Sequence, residues 1–192
     1  MQAQSSISGE YYLRGVMETA SGFKLNDDST FQFFFSYGAL DRYGQGTWAV
    51  HDGKIIFNSK PYPGKDFKLV SSAADKNDFT TVIIQSPNKM IFNYVHCLVF
   101  TNGQAEIYDA DSDGIIQLPG RNADSIHIVS ELSSERMSDF AIDNTAHNVF
   151  TFSIEQWIAE VFFNNFSLAI HENELTGKHP LLKDGEYVYE KN

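Results

Sequence analysis

The stretch from Cys97 to Glu131 alternates short apolar runs with turn sequences, and this pattern constrains the fold more than any other part of the chain. Turns are predicted at Asn102-Gly103, Asp113-Gly114 and Pro119-Gly120. Glycine after Asn, Asp or Pro is typical of tight turns, and apolar runs of roughly four to eight residues between such turns are typical of strands. The stretch therefore predicts successive strands joined by turns, in a mostly β protein.

A strand with one apolar face is predicted between residues 31 and 37. Because successive side chains of a strand point to opposite faces, we expect its odd-numbered face to be buried. The 16 Phe and 9 Tyr of the chain also favour β structure, since aromatic side chains suit a pleated surface. The odd-numbered residues of this strand are Phe31, Phe33, Phe35 and Tyr37.

One segment near the C-terminus has a helical rather than a strand period. Ser153 and Gln156 have the spacing of a capping box, which is typical of a helix start. The apolar residues fall on one face of a helix, so a short helix is predicted from 154 to about 163. These apolar residues are Ile154, Trp157, Ile158, Val161 and Phe162.

The polar stretch from 71 to 78, S-S-A-A-D-K-N-D, has the composition of a linker. A chain of 192 residues is long enough for one large domain or two small ones. We therefore predict an all-β, mainly antiparallel chain of two domains. Residues 9–71 are predicted to form a small antiparallel sheet or partial barrel, and residues 76–192 a β-sandwich with one short helix.

The net charge of −11 restricts the partners that the chain can have. It argues against nucleic acid, which requires clustered Lys and Arg, and against an anionic membrane surface. It fits a soluble protein or one with a basic partner. The sequence has no apolar run long enough for a membrane helix, and its first eight residues lack the charged and apolar regions of a signal peptide.

The sequence contains none of the common reaction motifs. G-x-S-x-G, H-E-x-x-H, the P-loop and G-x-G-x-x-G are all absent. Cys97 is the single cysteine, lies in an apolar run and is predicted to be a small buried side chain. Of the six histidines, His96 and His127 lie in predicted strands that can meet across a sheet. We predict a protein without catalytic activity, and an enzyme of unrecognised type is the open alternative.

Residues 109–114, D-A-D-S-D-G, match the opening of a calcium-binding loop. The carboxylates of Asp109, Asp111 and Asp113 alternate and can converge on one hard cation, while Gly114 permits a sharp turn. The twelfth position of the loop is Gly120 instead of the bidentate Glu that a helix-loop-helix site requires. Two interpretations remain: a looser calcium site in a β-turn, and an Asp-rich hairpin turn without metal.

The segment from 37 to 48 is predicted to be a glycine-containing loop and the main binding surface. Aromatic faces beside an Arg and an Asp can hold a sugar, a peptide or a loop of a partner protein. The alternative places Trp48 in the core and makes Asp41 and Arg42 a local ion pair. The candidate binding residues are Tyr37, Asp41, Arg42, Tyr43 and Trp48.

Two resemblances to known families follow from the turn and strand sequences. Residues 79–131, with the turns S-P-N-K and N-G-Q and the run D-A-D-S-D-G-I-I-Q-L-P-G, resemble transthyretin-like or carboxypeptidase-regulatory-like β-sandwich domains. The first half, with G-E-Y-Y-L, A-S-G-F-K-L and G-T-W, is similar to lipocalin-like bacterial envelope domains.

These resemblances imply a bacterial protein that is secreted or periplasmic and has no catalytic activity. The function predicted is a binding module for a protein or small-molecule ligand, with no nucleic-acid partner and no membrane insertion. No cofactor is predicted apart from calcium at the Asp-rich turn, and a calcium-stabilised structural module is the alternative function.

Overall fold

A computed structural model of the chain describes residues 7–101, 104–120, 125–141 and 146–192. Within these ranges the regular structure is almost entirely β, which confirms the predicted fold class. The described part of the chain also contains two 3-10 helices, Lys89–Tyr94 and Glu131–Ser133. The strands in chain order are β1 Gly9–Leu13, β2 Thr19–Leu25, β3 Thr30–Tyr37, β4 Leu40–His51, β5 Lys54–Asn58, β6 Phe67–Ala73, β7 Thr80–Gln85, β8 Val95–Thr101, β9 Gln104–Asp109, β10 Ile115–Leu118, β11 Ser125–Ser130, β12 Met137–Ala141, β13 Val149–Ile154, β14 Glu160–Val161, β15 Phe166–His171, β16 Glu174–Gly177 and β17 Tyr187–Lys191.

The chain divides into two compact units. The first combines Met1–Tyr62 with Ala159–Asn192, and the second is the intervening segment Pro63–Ile158. This division differs from the two consecutive domains, 9–71 and 76–192, that the sequence predicts. The first three residues of the predicted linker, 71–73, form the exposed end of β6, an edge strand of the second unit.

The first unit is a closed barrel of eight antiparallel strands. Its order is β4-β3-β2-β1-β17-β16-β15-β5, and β5 pairs with β4 to complete the wall. The short strand β14 adds to β4 in parallel, through Glu160 and Val161. The predicted sheet of the first half is therefore part of a full barrel, because the last three strands of the chain supply the remaining wall.

Aromatic rings fill the barrel. Phe31, Phe33 and Phe35 point inward and are at most 5% exposed, as their alternation predicts. The ring of Phe23 lies at the centre, with its centroid 4.6 Å from that of Phe57. Tyr37, predicted to share the buried face, is instead 51% exposed because it is the last residue of β3. Large side chains are needed here because an eight-stranded barrel encloses an interior about as wide as the side chains that fill it.

The second unit contains two four-stranded sheets, ordered β10-β7-β13-β6 and β12-β11-β8-β9. Side chains from both sheets form one hydrophobic core, which gives a sandwich-like arrangement. Cys97 lies in this core with no exposed surface, and burial raises the pKa of its thiol to about 12. The predicted turn at Asn102-Gly103 lies outside the described residues, and the turns at Gly114 and Gly120 have positive φ values of 79° and 71°.

The helix predicted from 154 to about 163 is wrong. Strand β13 ends at Ile154, a turn follows in which the Ile158 amide donates to the Glu155 carbonyl, and β14 begins at Glu160. The apolar residues at helical spacing belong to two different cores, because Ile158 packs in the second unit and Val161 in the barrel. Their spacing reflects a chain that passes from one core to the other.

Candidate binding site

The segment from 37 to 48 is a strand hairpin, so the predicted loop is wrong. Tyr37 pairs with Leu40 across a two-residue turn, and β4 continues without interruption to His51. Its glycines permit close packing: a Cβ at Gly46 would lie 2.1 Å from the Asn58 carbonyl oxygen. At Gly44 a Cβ would lie 2.6 Å from Cε2 of Phe163. Glycine is therefore required here by neighbouring atoms and does not signal a flexible loop.

Two of the predicted binding residues point into the barrel. Arg42 is 4% exposed, and its Nε donates to the Ala159 carbonyl at 3.1 Å. Trp48 is 3% exposed, and its Nε1 donates to the Asn26 carbonyl at 3.2 Å. Both side chains thus hold strand β4 to neighbouring segments of the barrel, and Trp48 is a core residue.

The other three predicted binding residues are exposed, but they lie apart from Arg42 and Trp48. Strand alternation places Asp41 and Tyr43 on the outer face. Tyr37 is exposed at the end of the hairpin. Of the five residues proposed from the sequence, Tyr43 is the one that lines a groove on the barrel.

This groove has a volume of about 490 Å³ and lies on the outer face of the barrel, across β1, β2, β3 and β4. Strand register brings its lining side chains together in two adjacent rows, one polar and one aromatic. We call this site the barrel groove. Its outward-facing residues are Glu10, Tyr12, Lys24, Gln32, Phe34, Tyr43 and Gln45.

The polar row consists of direct register partners on the four strands: Glu10, Lys24, Gln32 and Gln45. Lys24 Nζ lies 3.3 Å from Glu10 Oε1, and the Tyr12 hydroxyl donates to Glu10 Oε2 at 2.7 Å. The Tyr12 hydrogen bond and, after it, Lys24 lower the pKa of Glu10. Within the described ranges, the side-chain amides of Gln32 and Gln45 make no hydrogen bond, so they offer donors and acceptors to a ligand.

The aromatic row is formed by the next set of register partners, Tyr12, Gly22, Phe34 and Tyr43. Phe34 and Tyr43 are 40% and 44% exposed. The Tyr12 and Phe34 rings meet edge to face, with centroids 6.1 Å apart. A Cβ at Gly22 would lie 2.8 Å from Cε1 of Phe34, so this glycine makes room for the Phe34 ring against the sheet.

Most residues of the barrel groove were missed by sequence reasoning. Phe34 carries a visible signal, because it is an aromatic residue on the otherwise polar face of β3 with Gln32 and Ser36. No comparable signal marks Tyr12, Lys24 or Gln45. Their contribution depends on which residue of one strand pairs with which residue of the next.

The three aspartates of the predicted calcium loop are each engaged by a different group. The Asp109 carboxylate lies 2.8 Å from Nδ1 of His96, and Asp113 accepts from Lys89 Nζ at 2.8 Å. Asp111 accepts from the backbone amides of residues 113 and 115. Lys89 also lowers the pKa of Asp113. In the described part of the chain, no three acidic, His or Cys side chains are grouped so as to hold a metal ion.

His96 and His127 lie on the same face of one sheet, as their predicted strands allow. His127 pairs with Leu98, two residues after His96 on β8. His96 lies between two carboxylates, with Nδ1 2.8 Å from Asp109 Oδ1 and Nε2 3.2 Å from Glu131 Oε1. His127 Nδ1 lies 2.7 Å from Asp139 Oδ1. The two histidines therefore contact different carboxylates.

His179 is a buried titratable group of the barrel. Its Nδ1 accepts from the amides of Leu181 and Leu182, so Nε2 carries the proton and donates to Ser21 Oγ at 3.1 Å. Burial lowers the pKa of His179 to about 4, because the charged form has lost its hydration. The imidazole is thus a neutral structural bridge between the segment before β17 and strand β2.

The fold and its site define a class of protein: an eight-stranded antiparallel barrel that carries a sandwich-like unit between β5 and β14, with an aromatic and polar groove on the barrel wall. No protein-family description matches the chain, and neither a curated protein nor a solved structure shows significant similarity to it. Across the described residues, no helix is both long enough and apolar enough to cross a membrane.

Proposed function

We propose that this protein is a non-catalytic binding module that holds a neutral, ring-containing polar ligand, of the sugar class, in the barrel groove. The observation that carries the proposal is the pair of adjacent rows. Aromatic rings offer flat apolar surfaces, and the neighbouring amides offer hydrogen bonds at the edge of the same surface. A sugar ring presents the same combination, with apolar C–H faces and hydroxyls around its rim.

The dense packing of the barrel interior favours a ligand site on the outer face instead. The interior is occupied by packed rings, with Phe23, Phe57 and Phe163 among them. A ligand inside the barrel would have to displace these buried side chains. The groove, by contrast, already exposes Phe34 and Tyr43 to solvent.

The chemistry of the groove supports binding without catalysis. Its charged residues, Glu10 and Lys24, are paired with each other. The hydrogen bond to Glu10 raises the pKa of the Tyr12 hydroxyl, which favours its neutral form. The remaining polar groups are the Tyr43 hydroxyl and the amides of Gln32 and Gln45. Amides neither donate nor accept protons in general acid–base catalysis at neutral pH.

A secreted or periplasmic location in bacteria is part of the proposal and rests on the two sequence resemblances alone. The eight-stranded barrel is compatible with the lipocalin-like resemblance of the first half. Fractionation of the source cells, with the protein found outside the cytoplasm, is the measurement that supports this location.

Isothermal titration calorimetry against a panel of neutral soluble oligosaccharides tests the binding proposal. We expect at least one sugar to bind, and Phe34→Ala and Tyr43→Ala each to weaken its binding by about tenfold, the effect of losing an aromatic anchor. Tyr37→Ala is the matched control, because Tyr37 is an exposed tyrosine of the same hairpin that does not line the groove.

Two results would contradict the proposal. One is the absence of binding by every oligosaccharide of the panel. The other is a loss of affinity in Tyr37→Ala as large as that in Tyr43→Ala. Thermal melting of the three variants shows that each is folded, which is expected because all three substitutions lie on the surface.

A further inference from the structure

The outer edge of β9 lacks the features that oppose the addition of another strand at the other sheet edges of the second unit. β9 is the last strand of the sheet β12-β11-β8-β9 and pairs on one side with β8. Among the described residues, no strand pairs with its other side. Five of its six residues are exposed, including Ile107 at 66%.

The three other sheet edges of this unit carry features that oppose strand addition. β6 contains Lys68, and its register with β13 shifts at Thr151. β10 has four residues, and in β12 the Asp139 carbonyl accepts a hydrogen bond from Lys65 Nζ. Charged lysines, irregular register and short length are devices by which natural sheets block their edges. β9 has none of the three.

The main chain of β9 presents donors and acceptors outward at alternate residues. The Ala110 amide donates to the Val95 carbonyl, which fixes the alternation of the antiparallel ladder. The backbone groups of Tyr108 therefore point to β8, and those of Ala105, Ile107 and Asp109 point away from it. An added strand would find three residues with unused backbone groups on this edge.

Apolar side chains continue the outer face of the sheet from this edge. Ile107 pairs with Leu98, and Leu98 pairs with His127 on the next strand. Phe100 is 50% exposed, and its ring meets the His127 imidazole with centroids 4.9 Å apart. A strand added beside β9 would thus place its side chains next to an existing apolar row.

The charged side chains of β9 and of the turn after it are acidic, and the Lys89 ammonium pairs with Asp113 of that turn. The strand contains Glu106 and Asp109, and Asp111 and Asp113 follow it. The sequence has no Lys or Arg between Lys89 and Arg121. A second copy of this chain, with a net charge of −11, would bring two acidic edges together, and like charges on paired strands are destabilising.

We propose that β9 is a docking edge for an extended basic segment of another protein, which adds to the sheet as a fifth strand. Main-chain hydrogen bonds to Ala105, Ile107 and Asp109 supply the affinity, as in other cases of strand addition. An apolar side chain of the partner packs beside Ile107. Its Lys or Arg residues, on the other face of the added strand, lie near Glu106.

Fluorescence anisotropy with a labelled seven-residue peptide, acetyl-Lys-Val-Lys-Val-Thr-Val-Lys-amide, tests this proposal. We expect the peptide to bind the full chain, a version with alternate amide nitrogens methylated to bind at least about tenfold more weakly, and a Glu-for-Lys version not to bind. Equal affinity of the parent and methylated peptides would show that charge alone attracts them, and it would overturn the proposal. So would the absence of binding.

Two substitutions of Ala105 distinguish binding of the peptide to the β9 edge from binding elsewhere on the surface. Ala105→Pro removes an outward backbone donor without adding charge, and edge strands accept proline where the N–H faces solvent. Ala105→Val keeps the donor and is the matched control. We expect Ala105→Pro to weaken binding of the parent peptide by at least about tenfold, and Ala105→Val to weaken it by less than about twofold. Equal affinities of the two variants would contradict strand addition.

Hydrogen exchange on the unaltered protein gives a result that does not depend on the folding of a variant. The parent peptide should slow exchange at the amides of Ile107 and Asp109, and unchanged exchange there would overturn the proposal. Sedimentation velocity without peptide tests whether a second copy of the chain occupies the β9 edge instead. A dimer that becomes monomeric in Ala105→Pro would show this and would overturn the proposal of a basic partner. Phe34→Ala should bind the peptide normally, because the barrel groove belongs to a different site.

Discussion

The barrel and the sandwich-like unit differ in what they do with the edges of their sheets. In the barrel, pairing of β5 with β4 gives every one of the eight strands a neighbour on both sides. Within the described ranges, the second unit has two open sheets and therefore four edge strands. A closed wall can recognise a ligand only through side chains on its surface, whereas an open edge can also use its backbone. The two proposed sites follow this difference.

The two cores differ for a related reason. Among the described residues, nine of the fourteen buried apolar residues in the barrel core are aromatic, against five of fourteen in the second core. A closed barrel has a wide interior that large rings fill. Two facing sheets enclose a thinner layer, which branched aliphatic side chains such as Ile84, Ile116 and Ile128 fill well.

Removal of the central barrel ring should have the largest effect. Phe23→Ala leaves a cavity among rings that include Phe31, Phe33 and Phe57, so we expect it to lower the free energy of unfolding by roughly 3–5 kcal/mol. Urea unfolding followed by the fluorescence of Trp48, in a Trp157→Phe background, measures the loss in the barrel itself.

The matched control is Phe34→Ala, on the outer face of the same wall, which should change stability by less than about 1 kcal/mol. Trp157, in the second unit, reports separately in a Trp48→Phe background. A loss in Phe34→Ala equal to that in Phe23→Ala would show that the barrel interior is not the stabilising core.

Acid should destabilise the barrel through His179. Its folded pKa, about 4, lies below the unfolded value of about 6.5, so the unfolded state binds the proton first. The stability that the neutral imidazole contributes is fully present above pH 6.5 and is lost as the pH falls towards 4. The free energy of unfolding should fall by about 3 kcal/mol over this interval.

Urea unfolding of the intact protein and of His179→Gln, measured at several pH values between 7 and 4, tests this dependence. The variant should be less stable at pH 7 and should have a flatter profile over the interval. Parallel profiles for the two proteins would assign the acid sensitivity to other groups.

Calcium should have the smallest effect. Because Asp109, Asp111 and Asp113 are each engaged by a different group, we expect no change of the melting temperature when a chelator or excess calcium is added. Differential scanning calorimetry measures this. A rise of several degrees with calcium that Asp111→Asn abolishes would restore the calcium-stabilised alternative.

The sequence was most informative where the signal is local. The alternation of Phe31, Phe33 and Phe35 predicts an inward face because strand geometry repeats every two residues. It was least informative where one residue type serves two purposes. The glycines at 44 and 46 suggested a loop but permit close packing, and the spacing of Ile158 and Val161 suggested a helix but reflects two separate cores.

The sequence by itself determined that the chain forms β-strands, where several of them lie, that Cys97 is buried and that the surface is acidic. Only the tertiary structure decided that the barrel closes, since β5 ends at Asn58 and its neighbour β15 begins at Phe166. The tertiary structure also creates the barrel groove, because its polar and aromatic rows form only in one register of β1, β2, β3 and β4. A slip of one residue in a strand would turn its side chains to the other face of the sheet. Local periodicity is encoded within a few residues, whereas closure and register depend on pairings between distant parts of the chain.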